Sequence, residues 1–272
     1  MINSSYQFVN AAAHDAMRPN PVKARIAAGE SAFGTMAFEF FTPSLPQIVK
    51  AAGAQFLLYD MEHSGVEVEA MKWQFAACRG LDLVPLVRVP ATEYHFVARM
   101  LDAGAMGVMV PMVETAEQAA RIVSYTRYPP HGRRGAAFGV APHDDYEGGV
   151  VTDTIAAAHE RTLVICLVET ATGIENVDAI AAVPGVDVVW LGHFDLTNFL
   201  GIPAQFSHPR YLAAVDALVA ACRRHGKTAG FMATDDTWAA DYRAKGFRML
   251  AYGADVLLLQ TALAGGLAKL RA

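Results

Sequence analysis

The sequence predicts a single α/β domain with the architecture of a (β/α)8 TIM barrel. Three observations carry this expectation. Eight short, apolar, β-rich runs alternate with longer stretches whose apolar residues recur at spacings of three and four. The runs are nearly continuous in their apolar character, as in Val-Asp-Val-Val-Trp-Leu-Gly at 186–192, which is what parallel strands buried on both faces require. No Gly-x-Gly-x-x-Gly follows the first run, so nothing supports an open dinucleotide-binding sheet. The length of 272 residues agrees, because such barrels commonly occupy about 250 residues as one unit.

Taken in order, residues 1–24 form a polar N-terminal lead, and the barrel is expected over 25–272. The predicted strands are Phe33–Phe40, Gln55–Tyr59, Val84–Val89, Gly107–Met112, Leu163–Val168, Val186–Leu191, Lys227–Met232 and Met249–Ala254. Between them, helical periodicity marks Val66–Arg79, Thr92–Asp102, Ala116–Thr126, Gly173–Ala182, Pro209–Arg224 and Thr237–Ala244. One stretch breaks the rhythm. Tyr128-Pro-Pro-His-Gly-Arg-Arg-Gly135 opens a Gly- and Pro-containing insertion that runs to Thr162, expected on the catalytic rim after the fourth strand. Near the end, Val256–Leu259 with Leu263 and Leu267 is more apolar than one helix face needs. It reads in part as a subunit contact, with core packing alone as the alternative.

Composition excludes several classes of function. With 22 Lys+Arg against 27 Asp+Glu, the formal charge is −5, and the densest basic spots are the pairs Arg133-Arg134 and Arg223-Arg224. That is no footprint for a phosphate backbone, so no nucleic-acid partner is expected. The apolar stretch Val256–Ala268 has 13 residues, short of the roughly 20 that span a bilayer. Around Ala11–Ala13 there is no basic segment and no sustained apolar core of a secretory signal. Cys78, Cys166 and Cys222 are odd in number and lack zinc-site spacing, so they are expected as core thiols in a reducing, cytoplasmic setting. Trp73, Trp190 and Trp238 are expected to pack, and His95, His159 and His225 to be solvated.

In such a barrel the chemistry sits at the carboxyl ends of the strands. Four exits are charged: Asp60-Met61-Glu62-His63 after the second strand, Arg88 at the end of the third, Glu169 after the fifth, and Asp195 after the sixth, behind Gly192-His193-Phe194. Glu169 and Asp195 suit a hard divalent cation, which prefers carboxylate oxygen and retains water for a substrate to displace. Arg88 offers a planar fork that matches a carboxylate, and His63 can move a proton near neutral pH. Taken singly, each residue also fits a plainer role. Glu62 and His63 could open a solvated loop, Glu169 and Asp195 could favour a helix start, and Arg88 could pair with any buried acid. Their joint placement on four exits favours one site.

At these residues the chain resembles a known family. Asp60-Met-Glu-His63, Val87-Arg-Val-Pro90, Leu101-Asp-Ala-Gly104, Val110-Pro-Met-Val-Glu114, Tyr128-Pro-Pro-His-Gly-Arg-Arg-Gly135, and Val186-Asp187 with Gly192-His-Phe-Asp-Leu196 resemble the metal-dependent class II pyruvate aldolases of the HpcH/HpaI aldolase/citrate lyase family. The resemblance runs in order from about residue 25 to 270. It implies reversible retro-aldol cleavage of a 4-hydroxy-2-oxo acid, or a 2-keto-3-deoxy sugar acid, into pyruvate and an aldehyde. It also implies a divalent cation, magnesium or manganese before cobalt or zinc, held by Glu169 and Asp195. Arg88 would grip the pyruvate moiety, and Asp60 and Glu62 would orient the site. His63 would transfer a proton with Asp102 reached from a neighbouring subunit, and backbone around Gly192, Phe194 and Asp195 would cradle the substrate carboxylate. A hexamer that exchanges its last helix between subunits follows from the same resemblance. No Schiff-base lysine is expected, because Lys72, Lys227 and Lys245 do not fall at strand exits.

The chain departs from the family's pattern at three places. His193-Phe194 stands where Pro-Ala is typical, Leu167 where Gln is common, and His131 where Arg is usual in the Tyr-Pro-Pro segment. Two other readings stand beside the aldolase. A β-hydroxyacyl-CoA lyase of the citrate lyase type would need a basic groove for CoA phosphates, and a non-catalytic barrel would bind a 2-oxo acid without turning it over.

Overall fold

Eight parallel strands close into a barrel in chain order: β1 (Ala32–Ala37), β2 (Phe56–Asp60), β3 (Val84–Arg88), β4 (Gly107–Val110), β5 (Leu163–Val168), β6 (Val188–Leu191), β7 (Thr228–Ala233) and β8 (Met249–Ala254). This computed structural model describes residues 17–272. Residues 1–16 of the N-terminal lead, with Ala11–Ala13, lie outside the described residues. Each predicted strand has its counterpart. The helix Pro21–Ala27 runs across the boundary between lead and barrel.

Successive side chains point to opposite faces of a strand, and that alternation divides the apolar residues into two cores. Phe56, Leu58, Val84, Leu86, Leu163, Ile165, Leu167, Val188 and Trp190 fill the barrel interior with Met36 and Met109. Leu57, Tyr59, Val87, Val164, Cys166, Val168, Val189 and Leu191 face outward and pack beneath the helices. The inward column then turns polar at the top of three strands: Asp60 follows Leu58, Arg88 follows Leu86, and Glu169 follows Leu167. Strand register sets their neighbours, with Asp60 directly opposite Arg88 and Leu167 opposite Trp190. Trp190 in turn faces Gly230. A methyl group on Gly230 would lie 2.2 Å from Cε3 of the indole, so this glycine makes the room that the tryptophan fills.

The structure corrects the expected elements at several points. β1 ends at Ala37 and not at Phe40, because the N–H groups of Phe38, Glu39 and Phe40 donate to the Asp255 carboxylate at 3.0, 2.9 and 2.7 Å instead of to a strand. β4 stops at Val110; Met112 turns left-handed at φ 56 and its N–H donates to Glu169. The helix expected over Gly173–Ala182 is two, Ala171–Glu175 and Val177–Ala182, hinged at Asn176, whose side-chain amide donates to the Glu114 carbonyl at 2.8 Å. The insertion lies at the amino end of the barrel, not on the catalytic rim. Helix Ala116–Thr126 carries the chain back before the insertion starts, and the insertion forms a short turn at Pro142–Asp144 and a helix at Val151–Arg161. That end is tied together by the Asn20 amide, which donates to the carbonyls of Met106 and Arg161, and by Arg18 and Arg79 on Asp145. His159 is not solvated: its Nε2 accepts the Tyr128 N–H at 2.7 Å, and burial, with Arg127 nearby, draws its pKa down to about 4. Trp73 is exposed, whereas Trp190 is packed and all three cysteines are buried.

The last helix, Asp255–Arg271, buries none of its residues. Leu257, Leu259 and Leu263 on it are exposed, as are Phe33 of β1 and Tyr252 of β8. No helix among the described residues is long and apolar enough to cross a membrane.

The contact between Trp190 and Gly230 yields a stability test. Gly230→Ala overpacks the barrel interior and should cost about 1–3 kcal/mol in urea denaturation. An unchanged midpoint would show that the indole does not depend on this gap.

Candidate active site

The site begins with Asp60, which is fully buried at the end of β2. Its Oδ1 accepts Nε of Arg88 at 2.7 Å and the N–H of Glu62 at 3.0 Å. Its Oδ2 accepts the N–H of His63 at 3.1 Å. One carboxylate therefore fixes the guanidinium and folds the turn that presents Glu62 and His63. Glu62 Oε2 lies 3.1 Å from Nη1 of Arg88 and 3.6 Å from Nε2 of His63, and the Phe38 ring covers the guanidinium with its centroid 5.7 Å from Cζ. His63 itself is exposed.

Glu169 comes from the opposite part of the sequence and is nearly buried at the top of β5. Thr170, not Glu169, caps the following helix by accepting the N–H of Gly173 at 2.9 Å, which leaves Glu169 free to turn inward. Its Oε1 accepts the Met112 N–H at 2.8 Å. Burial pushes its pKa up to about 7, with the Met112 hydrogen bond opposing and the charges of Glu62 and Asp195 adding to the rise. Burial likewise raises Glu62 above the usual carboxylate range. Across from Glu169 stands Gly192, where a Cβ would come within 2.4 Å of Glu169 Oε2; only glycine leaves that oxygen its place. Asp195 lies in the first turn of helix His193–Phe199 and faces the same cavity.

That cavity has a volume of about 230 Å³. His63, Arg88, Glu169, His193 and Asp195 are its charged or titratable members, Gly192 and Phe194 lie beside them, and Met36, Met109, Leu167, Trp190 and Met232 form the floor. Among the described residues, no lysine lines it. The floor and Phe38 escape a reading of motifs, although the period-two pattern of inward positions on β1, β4, β5 and β6 marks most of them.

The rings of His193 and Phe194 lie against each other, with centroids 4.7 Å apart, and differ in burial. The His193 ring turns into an aromatic box, 5.0 Å from Phe231, 5.2 Å from Trp238 and 5.6 Å from Phe206 between centroids. Burial lowers its pKa to about 4. Phe194 is 53% exposed at the cavity mouth. Asp102 does not join the site within one chain. It sits at the carboxyl end of helix Tyr94–Ala103, where the chain enters β4 from the amino end of the barrel, and its Oδ1 accepts Nη2 of Arg134 at 2.7 Å.

The charges at the top of the barrel do not balance. Asp60, Glu62, Glu169 and Asp195 bring four carboxylates against the single guanidinium of Arg88, and Glu62 Oε2 is buried with only the ion pair to Nη1 of Arg88 and no hydrogen bond of good geometry. Such an excess fits a hard divalent cation beside Glu169 and Asp195. No group of three or more His, Cys, Asp or Glu is arranged as a metal cage among the described residues. Two protein oxygen ligands suit a cation that keeps several waters.

Comparison with known proteins gives the family. Residues 36–262 match the HpcH/HpaI aldolase/citrate lyase family. The chain is 37% identical over 243 residues to the hydroxypyruvate/pyruvate aldolase of Chromohalobacter salexigens, covering 89% of this chain and 94% of that protein. It is 36% identical to the 5-keto-4-deoxy-D-glucarate aldolase of Klebsiella pneumoniae, covering 91% and 95%. The crystal structure of an HpcH/HpaI aldolase from Desulfitobacterium hafniense superimposes with a TM-score of 0.87 at 29% identity, over 92% of this chain and 96% of that one. The match starts near the end of β1 and ends inside the last helix, so it takes in β2 through β8, and the chain belongs to the HpcH/HpaI aldolase/citrate lyase family.

Proposed function

We propose that this aldolase-type lyase reversibly cleaves a 4-hydroxy-2-oxo acid to pyruvate, or a close 2-oxo acid, and an aldehyde, with a divalent cation held by Glu169 and Asp195. The observation that carries the reading is the convergence of Glu169, Asp195, Arg88 and His63 on one small cavity. The names of the relatives, which act on pyruvate, hydroxypyruvate or a keto-deoxy acid, support the same substrate class. Two carboxylates and water favour magnesium or manganese over cobalt or zinc.

When bound, the cation supplies Lewis-acid charge that offsets the negative charge developing on the 2-oxo acid as its C3–C4 bond breaks. Arg88 is held at Nε by Asp60 and at Nη1 by Glu62, which leaves its Nη2 donors for the pyruvate moiety. His63 takes the proton of the 4-hydroxyl, through water, as C4 becomes the aldehyde carbon, and the bonding pair passes to C3, which is then protonated. Glu62 beside Nε2 of His63 steadies the imidazolium. Backbone at Gly192, Phe194 and Asp195 receives the substrate carboxylate at the head of helix His193–Phe199.

An assembly completes the site. The bare helix Asp255–Arg271 and the exposed Phe33 and Tyr252 on the seam of β8 and β1 support exchange of the last helix between copies in a hexamer, with Asp102 of a second copy reaching His63. Buried free thiols at Cys78, Cys166 and Cys222 support a reducing, cytoplasmic setting.

Three outcomes follow. Chelation should abolish cleavage and a divalent cation restore it, while Glu169→Gln and Asp195→Asn should each lose metal-supported turnover; full activity in verified metal-free buffer contradicts the reading. The second concerns pH in chelator. Glu169 ionises near 4.5 when unfolded and near 7 when folded, so between these values the native state keeps a proton that the unfolded state has lost. Stability therefore falls as pH rises through that window and levels above it. Glu169→Gln lacks this loss, and its stability relative to wild type should rise by on the order of 3 kcal/mol from pH 4.5 to above 7. Parallel pH curves in urea melts would show an ordinary carboxylate. Third, light scattering at micromolar concentration should give a hexamer, and a monomer would remove the reach of Asp102.

A further inference from the structure

Once Arg88, His63, Glu169 and Asp195 are committed to the 2-oxo acid head and the transferred proton, what remains of the lining within one chain is hydrocarbon, aromatic ring and the single imidazole of His193. The floor of Met36, Met109, Leu167, Trp190 and Met232 is the top layer of the barrel's own apolar core, extended by Met232. Leu167 and Trp190 are joined across β5 and β6 by register, so the floor is as fixed as the sheet. Phe38 stands on the Arg88 face, and Phe194 projects at the mouth, braced edge-on by Phe206 with centroids 5.2 Å apart. No serine, threonine, asparagine or glutamine lines the cavity among the described residues. His193, the one remaining imidazole, reaches the cavity wall, with its ring packed among Phe194, Phe231 and Trp238 and its Nε2 buried without a partner. Trp190 adds at most one N–H donor and no acceptor.

A polyhydroxylated chain moved from water into such surroundings gives up more hydrogen bonds than one imidazole and one indole N–H can replace, whereas an alkyl group gains by leaving water. The volume of about 230 Å³ also falls below the roughly 300–1,000 Å³ of pockets that take drug-sized ligands. We propose that the part of the pocket beyond the 2-oxo acid head selects short, apolar aldehydes over polyhydroxylated ones, with Phe194 and Leu167 as the residues that set the preference. This inference rests on the retro-aldol reading above.

Propanal and glyceraldehyde have the same carbon chain and differ by two hydroxyls, so they isolate the effect. In the manganese-loaded full-length protein with pyruvate, kcat/KM for condensation should be at least tenfold higher for propanal than for either enantiomer of glyceraldehyde. Phe194→Ser, at an exposed position that does not put folding at stake, and Leu167→Gln should each lower that ratio at least tenfold. Because both rates come from one protein, losses of active enzyme cancel. Exchange of the pyruvate methyl protons for deuterium is followed alongside. A wild-type ratio below ten, with exchange present, overturns the preference alone. A high ratio that neither substitution moves removes the assignment to Phe194 and Leu167. Absence of exchange removes the retro-aldol reading and the preference with it.

Discussion

The Asp60–Arg88 pair is the contact on which the site depends. Register places the two residues side by side at the tops of β2 and β3, and the 2.7 Å bond between them lies out of water. A buried guanidinium needs a partner, and a buried carboxylate needs donors. Asp60 meets both needs at once, because its two oxygens also take the N–H groups of Glu62 and His63. The turn that carries the exposed imidazole is thereby built on the same carboxylate that aims the arginine. Loss of Asp60 would take from Arg88 its shortest bond, leaving it only Glu62, and release the loop above it.

The rest of the site follows from the inward column of side chains. Two or three apolar layers fill the barrel, and the next position up becomes charged on β2, β3 and at the exit of β5. Polar chemistry thus stands on an apolar floor with no intervening layer. This explains the unusual state of Glu169: burial opposes its charge and Glu62 and Asp195 add to the rise, while one backbone donor at Met112 resists it. A cation beside such a carboxylate would offset the charge that burial opposes. The left-handed backbone at Met112 is the local cost of delivering that donor.

Much of this was legible in the sequence because parallel strands buried on both faces leave unbroken apolar runs, and Asp60, Arg88, Glu169 and Asp195 each stand where such a run ends. What escaped the sequence depended on contacts distant along the chain. Phe38–Phe40 continues an apolar run, yet its N–H groups go to Asp255 at the far end of the protein. The insertion after Tyr128 was expected at the wrong end of the barrel, although helix Ala116–Thr126 had already reversed the chain. His193 and Phe194 are adjacent in sequence and their rings touch, yet one is buried against Phe231 and Trp238 and the other stands half exposed at the mouth. The stacking of Phe38 on Arg88 has no sequence signature.

The central claim is that Glu169 and Asp195 hold a divalent cation against which a 2-oxo acid binds, with Arg88 at its side. Anomalous diffraction from crystals grown with manganese and pyruvate tests it most directly. The account predicts one strong anomalous peak per chain between the Glu169 and Asp195 carboxylates, with pyruvate density in contact with both the peak and the Arg88 guanidinium. Manganese elsewhere, or pyruvate bound away from Arg88, would contradict it.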